Sequence, residues 1–197
     1  MVSKRLKNES AAVTIIDVRT GDVLAMVSTP GFDPNAFNRG MNSDEWDSLT
    51  SNPRAPLTNK VIAGRYAPGS TFKMIVLLAA LEKGVVSLSR KYFCSGVQEL
   101  GDAKFHCWLK HGHGLVNAQT ALSQSCDVYF YEIARLTGVD RIAKMAEKLG
   151  LGEISGIDLP GEKSGLIPTK KWKRDALNTG WHQGETLLTG IGQGYVL

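Results

Sequence analysis

One serine and one lysine stand at a spacing that supports nucleophilic catalysis. Ser70 and Lys73 lie three residues apart, directly before the apolar run 74–81. In a helix this spacing places both side chains on one face, one turn apart. If the apolar run is buried, Lys73 is desolvated beside the positive end of the helix, and both effects favour the neutral amine. A neutral Lys73 would act as the general base that takes the proton of Ser70 during attack on a carbonyl.

The residues around Ser70 and Lys73 support a catalytic role for this pair more strongly than its spacing alone does. About one Ser-x-x-Lys pair is expected by chance in a chain of this composition. The pair occurs once, follows Pro68-Gly69 and opens a strongly apolar helix. Two nucleotide-binding patterns fail, because segment 64–71 has no lysine directly after its second glycine and the glycines of 190–194 lack a strand-then-helix unit.

The cysteines and neighbouring histidines form a candidate metal site. Three thiolates and one imidazole are a usual ligand set for structural zinc. The predicted ligands are Cys94, Cys107, His113 and Cys126, with His111 as the alternative imidazole. The other interpretation is two buried thiols and one exposed thiol, or one disulfide with a spare cysteine.

The elements expected around these residues begin with a sheet and continue with helices. The β-branched runs at 11–18 and 23–28 predict a hairpin, and 29–64 is expected to be largely irregular. Helices are then predicted over residues 44–49, 70–83, 117–124 and 128–137, and over a last segment capped by Asp140. Residues beyond Gly152 are predicted to form loops, including the basic stretch 170–174, which is interpreted as solvated. Strands followed by helices are typical of an α+β fold.

Composition indicates a globular protein and argues against membrane-spanning and nucleic-acid-binding functions. The 197 residues are 43% hydrophobic, enough for one globular domain with a core. The longest apolar run is far shorter than the roughly 20 residues of a membrane-spanning helix, and no signal peptide is expected. The formal charge of +4 is spread along the chain without a recognisable nucleic-acid-binding module, so no nucleic-acid partner is expected.

Taken together, four segments resemble the transpeptidase domain of class B penicillin-binding proteins, and within that family the elongation-specific penicillin-binding protein 2 subgroup. These segments are 56–59, 66–73, 123–131 and 184–194. The resemblance implies a partial penicillin-binding protein/β-lactamase-like α+β fold over 1–197. In it, 11–28 would form a hairpin of the sheet and 29–197 a mainly helical subdomain with loops.

The same resemblance implies a role for each residue of the candidate catalytic site. Ser70 would be the nucleophile, Lys73 the base for acylation, and Ser125 a proton relay toward the leaving amine. Asp127 stands where many relatives carry asparagine, and aspartate at this place is usual in the penicillin-binding protein 2 subgroup.

The resemblance also implies substrates, partners and a location. The substrate would be the D-Ala-D-Ala end of peptidoglycan stem peptides, and β-lactam antibiotics would be trapped as acyl-enzymes. Catalysis would need no cofactor, while some members of the subgroup hold zinc near the second motif. The parent protein would act at the periplasmic face of the bacterial inner membrane, with a membrane glycosyltransferase and cell-shape scaffold proteins.

Departures from the family pattern leave alternatives open. The family's Lys-Thr-Gly motif would follow the 191–194 region at a considerable distance, and a membrane anchor would precede the domain. The 197 residues contain neither feature. The 197 residues alone are therefore expected to lack useful transpeptidase activity. A serine β-lactamase, with a second base such as Glu185, and a β-lactam-sensing receptor domain are the alternative functions.

Overall fold

The computed structural model describes residues 2–6 and 9–197, and these residues divide into two compact units. One unit comprises the residues up to Arg65 together with 156–163. The other comprises residues 66–155 and 164–197. Every candidate catalytic or metal-binding residue named above belongs to the second unit.

The first unit contains an antiparallel hairpin where the β-branched runs predict one. Strand β1 (Ala11–Ile16) pairs with strand β2 (Val23–Thr29). The carboxylate of Asp17 stabilises the connecting turn by accepting hydrogen bonds from the backbone N–H of Arg19 at 2.9 Å and from its guanidinium at 2.8 Å. Short helices complete the described part of this unit: α1 (Val2–Arg5), α2 (Asn35–Asn38), α3 (Ser43–Thr50) and α4 (Lys60–Ala63).

The second unit packs its helices around one central helix. Its helical segments are a 3₁₀ turn (Gly69–Phe72), α5 (Lys73–Glu82), α6 (Ala118–Ser123), α7 (Asp127–Thr137), α8 (Val139–Lys148), α9 (Lys170–Leu177) and α10 (Gln183–Thr189). Helix α7 contacts α5, α8 and α10. It also contributes the fully buried side chains of Tyr129, Phe130 and Ile133. The buried apolar side chains of α7 therefore hold the helices that carry the candidate catalytic residues in position.

Short antiparallel strand pairs lie between α5 and α6. The pairs are β3 (Tyr92–Cys94) with β6 (Gly114–Val116), and β4 (Val97–Leu100) with β5 (Ala103–His106). The backbones cross very closely here, since a Cβ atom on Gly96 would lie 2.2 Å from the carbonyl oxygen of Lys110. Only glycine fits such an approach.

Helix α8 has a different N-cap from the one predicted. Gly138 holds the cap position with φ of 85°, and Asp140 lies in the first turn of the helix. The prediction of Asp140 as N-cap is therefore wrong, because a glycine at positive φ ends α7 and begins α8 at the same residue. The carboxylate of Asp140 instead accepts a hydrogen bond from the backbone N–H of Lys170 at 3.0 Å.

The basic stretch at 170–174 is helix α9, so its interpretation as a solvated loop is wrong. The hydroxyl of Thr169 caps this helix by accepting from the backbone N–H of Trp172 at 2.9 Å. Lys173 is only 2% exposed, and its Nζ lies 2.5 Å from Oε1 of Glu185 in α10. A helix whose buried face carries a lysine shows no apolar period, which is why its sequence resembles a loop.

The contacts of Glu185 lower its pKa. Burial alone would raise this pKa, but the backbone N–H of His182, the ammonium of Lys173 and the hydroxyl of Tyr195 together outweigh burial. The ionised carboxylate of Glu185 is therefore the form that holds α10 against α9.

Replacing Glu185 with glutamine is expected to lower the melting temperature at neutral pH by about 5 °C, because Lys173 loses its partner. The folded-state pKa of Glu185 lies below its unfolded value. Its stabilisation is thus complete above the unfolded pKa and is lost as the pH falls through the folded pKa. Thermal melts of wild type and Glu185→Gln across acidic pH should show the difference between their melting temperatures becoming smaller as the pH falls.

The exposed pair Lys171–Asp175 on the same helix provides the control. Asp175→Asn is expected to change the melting temperature by no more than about 1 °C. If the melting temperatures of wild type and Glu185→Gln differ by a constant amount in acid, the stabilising role of the Glu185 charge is refuted.

None of the helices in the described part of the chain combines the length and the apolar composition needed to cross a bilayer.

Candidate active site and thiol cluster

The start of α5 places Ser70 at the surface and Lys73 in the interior. Ser70 lies in the 3₁₀ turn Gly69–Phe72 and is exposed, while the side chain of Lys73 is 1% exposed. The turn and α5 together cover the segment predicted as a helix from Ser70. The apolar run that follows Lys73 packs against α7 and α8, which explains the burial of the lysine.

Ser125 reaches the same place from the loop between α6 and α7. Its backbone has φ of 53°, in the left-handed region, which costs a residue other than glycine about 1 kcal/mol. The ammonium of Lys73 donates to the carbonyl oxygen of Ser125 at 2.9 Å. This bond to a buried side chain helps to hold Ser125 in its strained conformation, with its hydroxyl turned toward Ser70.

A chain of hydrogen bonds connects the candidate catalytic residues. The hydroxyl of Ser125 donates to Oγ of Ser70 at 2.9 Å and accepts from Nζ of Lys73 at 3.0 Å. Nζ of Lys73 also donates to Oδ1 of Asp127 at 2.6 Å. The three donors of the ammonium thus go to the carbonyl and hydroxyl of Ser125 and to Asp127. The sequence predicts a direct approach of Lys73 to Ser70, whereas these bonds lead there through Ser125.

Trp108 holds the loop that carries Ser125, and sequence reasoning missed it. Its backbone N–H donates to Oδ2 of Asp127 at 2.9 Å, and its indole N–H donates to the carbonyl oxygen of Gln124 at 3.1 Å. Asp127 therefore joins Lys73 on one oxygen to Trp108 on the other. No local pattern signals these contacts, because they link residues 16 and 19 positions apart.

The hydroxyls of Ser70 and Ser125 face an open cleft of about 500 Å³. The residues that line the cleft are Ser70, His106, Cys107, Trp108, Ser125, Asp127, Tyr131, Ile191 and Gln193. Burial raises the pKa of Tyr131, and the nearby Asp127 raises it further. Tyr131 is therefore a neutral hydroxyl, which donates to the carbonyl oxygen of His106 at 3.1 Å.

The predicted metal ligands converge directly behind this loop. The ligand atoms of Cys94, Cys107, His113 and Cys126 all lie within 4.8 Å of one another, and we call this set the thiol cluster. All three cysteines are buried and free. His111 is exposed and is not part of the cluster, so the structure selects His113 between the two imidazoles.

The geometry of the thiol cluster fits tetrahedral zinc. Zn–S and Zn–N bonds of about 2.3 and 2.05 Å imply S···N edges of about 3.6 Å in a tetrahedron. Nδ1 of His113 lies 3.6 Å from Sγ of Cys94 and 3.5 Å from Sγ of Cys107. These two separations match the S···N edges of a tetrahedral zinc site.

The surroundings of the Cys126 thiol favour its protonated form. Burial raises the pKa of the Cys126 thiol, and the neighbouring Cys94 and Cys107 raise it further. A bound metal ion would displace such protons and take their place as the link between the four side chains. Because Cys126 lies between Ser125 and Asp127, that link would also fix the loop of the candidate active site.

Comparisons with known proteins identify the family of the chain. The model of the penicillin binding protein transpeptidase domain matches residues 11–196. The peptidoglycan D,D-transpeptidase MrdA of Escherichia coli (strain K12) is 41% identical over 192 residues, covering 96% of this chain and 30% of MrdA. The chain therefore spans about a third of the length of the curated relatives it matches.

Solved structures show the same fold. Pseudomonas aeruginosa PBP2 in complex with WCK 5153 superposes with a TM-score of 0.86 at 41% identity, covering 94% of this chain and 42% of that one. PBP2 of Helicobacter pylori in complex with MreC gives a TM-score of 0.94 at 34% identity, covering 99% and 36%. These matches confirm the predicted α+β transpeptidase fold. With a domain match over nearly its whole length and close relatives among PBP2 and MrdA proteins, the chain belongs to the penicillin-binding protein transpeptidase family.

Proposed function

We propose that this chain carries the acylation machinery of a peptidoglycan D,D-transpeptidase, with Ser70 as nucleophile. The observation that carries the proposal is the hydrogen-bonded path from the exposed Ser70 through Ser125 to the buried Lys73. Such a path connects a solvent-accessible hydroxyl to a desolvated base, as nucleophilic catalysis requires.

In the proposed reaction Ser70 attacks the carbonyl carbon of the penultimate D-alanine of a stem peptide. For this step the ammonium of Lys73 first releases a proton to solvent, and the two hydrogen bonds then reverse, so that Ser70 donates to Ser125 and Ser125 donates to the amine of Lys73. The proton of Ser70 passes to Ser125, whose own proton passes to that amine. The same relay then returns a proton to the nitrogen of the terminal D-alanine, which leaves as its C–N bond breaks. The amine of a second stem peptide attacks the ester next, so that a cross-link forms and Ser70 regains its proton.

Asp127 supports this proton transfer without contacting the substrate bond that breaks. Lys73 becomes an ammonium ion when it accepts a proton, and the carboxylate 2.6 Å away stabilises that ion. The backbone N–H of Trp108 fixes the other oxygen of Asp127 and so keeps the carboxylate oriented. Asp127 therefore has the role of the third member of a catalytic triad, which orients and stabilises the base.

The proposal extends to inhibitors, partners and location. A β-lactam would acylate Ser70 by the same route and remain bound as an ester. Following the PBP2–MreC complex of Helicobacter pylori, we propose a cell-shape scaffold protein as a partner of the whole protein. A solved peptidoglycan synthase complex that coordinates polymerization and crosslinking supports a membrane glycosyltransferase as a second proposed partner. The proposed location is the periplasmic face of the bacterial inner membrane, where stem peptides are exposed.

A β-lactamase function has less support. Deacylation by water needs a second base, and Glu185 is the residue that the sequence offered for it. Glu185 is held by Lys173 and Tyr195 and is absent from the lining of the cleft. A chromogenic cephalosporin should therefore give one stoichiometric burst rather than continuous turnover.

The proposal is tested by release of D-alanine from a stem pentapeptide that ends in D-Ala-D-Ala. A full-length protein that carries this segment is expected to release D-alanine, and Ser70→Ala is expected to abolish the release. Ser123→Ala provides the control, because Ser123 is exposed at the end of α6 and its hydroxyl donates to the carbonyl oxygen of Thr120 in the same helix. Equal release by wild type and Ser70→Ala would contradict the proposal.

We also propose that the thiol cluster binds a structural zinc ion, which would cross-link the β3–β6 region to the start of α7. Protein purified without chelators is expected to contain about one equivalent of zinc. Elemental analysis by mass spectrometry measures this content directly. Less than about a tenth of an equivalent in folded protein would exclude the site.

A further inference from the structure

Gly192 lies against the residue that precedes Ser70. The backbone N–H of Gly69 donates to the carbonyl oxygen of Gly192 at 2.9 Å. A Cβ atom on Gly192 would lie 2.2 Å from the carbonyl oxygen of Gly69 and 2.8 Å from Cβ of Phe72. Two backbone segments thus meet beside Ser70 with no room for a side chain between them.

The turn that contains Gly192 is itself fixed. Its φ of 68° lies in the left-handed region, and its N–H donates to the carbonyl oxygen of Thr189 at 3.0 Å. Gly190 packs equally closely on α7, since a Cβ atom there would lie 2.6 Å from Cβ of Ala134. The turn 190–193 is therefore bonded to the end of α10 and packed closely on α7.

Helix α10, which leads into this turn, is anchored in the interior. The buried ion pair between Lys173 and Glu185 joins it to α9, and the hydroxyl of Tyr195 donates to the same carboxylate at 3.3 Å. The indole N–H of Trp181 donates to the hydroxyl of Thr186 at 2.8 Å. The contacts of Glu185 thus hold α10 against α9 and against Tyr195.

We propose that Gly192 is a positioning residue for acylation, which sets the place of Ser70 by holding the backbone of Gly69. The inference rests on the proposed function, because it concerns the reactivity of Ser70 as a nucleophile. The 2.9 Å contact between the hydroxyls of Ser70 and Ser125 depends on where the 3₁₀ turn lies. A displacement of the nucleophile by about 1 Å is enough to slow such a reaction roughly a hundredfold.

Gly194 offers a matched control for a substitution at Gly192. Both glycines have positive φ, 68° and 74°, so alanine meets a similar backbone cost at each. A Cβ atom on Gly194 would find only Cβ of Leu188, at an ordinary distance of 3.5 Å. The two alanine variants therefore differ mainly in the collision with Gly69.

The experiment measures acylation by a fluorescent penicillin in a full-length protein that carries this segment. Gly192→Ala is expected to lower the first-order acylation rate constant at least about tenfold, while the dissociation constant of the reversible complex changes by less than about twofold. Gly194→Ala should leave both constants near the wild-type values. Rates are compared at a temperature at which both variants are equally folded.

Equal acylation rate constants for Gly192→Ala and Gly194→Ala would overturn the inference. Amide hydrogen exchange of Gly69 in the wild-type protein tests it without any variant. Slow exchange is expected because the N–H is bonded to Gly192, and rapid exchange would overturn the inference as well. Absence of labelling in wild type, or labelling that persists in Ser70→Ala, would instead refute the proposed function.

Discussion

Replacing Lys73 with methionine is expected to slow the acylation of Ser70 by a β-lactam about a thousandfold. Methionine fills a similar volume but accepts no proton, so the path from Ser70 through Ser125 ends without a base. The rate of labelling by a fluorescent penicillin measures the effect. To avoid an unpaired buried carboxylate, the same measurement is made on Lys73→Met combined with Asp127→Asn.

Lys60→Met is the control for removing a buried lysine. Lys60 is 5% exposed and donates to the carbonyl oxygen of Ala55 at 2.9 Å, and it belongs to the first unit. Its replacement should leave the labelling rate within about twofold of wild type. A decrease of less than about tenfold for both Lys73 variants would mean that another group removes the proton of Ser70.

Replacing His113 with alanine is expected to lower the melting temperature by about 10 °C, because the proposed structural zinc ion would lose one of its four ligands. A loss of about 4 kcal/mol would produce a shift of that size in a protein of this length. Differential scanning calorimetry measures the shift, and elemental analysis of the same samples measures zinc.

His111→Ala is the matched control, since His111 is exposed and lies two residues from His113 in the same loop. It should change neither the melting temperature nor the zinc content. Equal melting temperatures for the two histidine variants would show that the thiol cluster does not stabilise the fold through a metal ion.

The features that the sequence could predict depend on short-range patterns. The hairpin over 11–28 follows from β-branched runs, and the N-cap at Asn117 follows from its side chain, which accepts from the backbone N–H of Thr120 at 2.9 Å. The burial of Lys73 follows from the apolar run behind it. The grouping of the four candidate metal ligands follows from their residue types and their spacing along the chain, and their ligand atoms lie within 4.8 Å of one another.

The features that sequence reasoning missed depend on tertiary contacts. The buried face of α9 contains Lys173, which is stable there only because Glu185 lies opposite it on α10. The backbone of Trp108 fixes Asp127 although 19 positions separate them. The place of Ser125 between Ser70 and Lys73 depends on its left-handed φ of 53°, which no residue preference would indicate for a serine.

The most direct test is to identify the residue that a β-lactam acylates. Cleavage after Arg65 and Lys73 yields a peptide of residues 66–73, which contains Ser70 but not Ser125. After brief exposure of a full-length protein to a penicillin, fragmentation of this peptide by mass spectrometry should place the adduct on Ser70, and Ser70→Ala should carry none. An adduct on Ser125 or on a cysteine, or an equal amount in Ser70→Ala, would contradict Ser70 as the nucleophile.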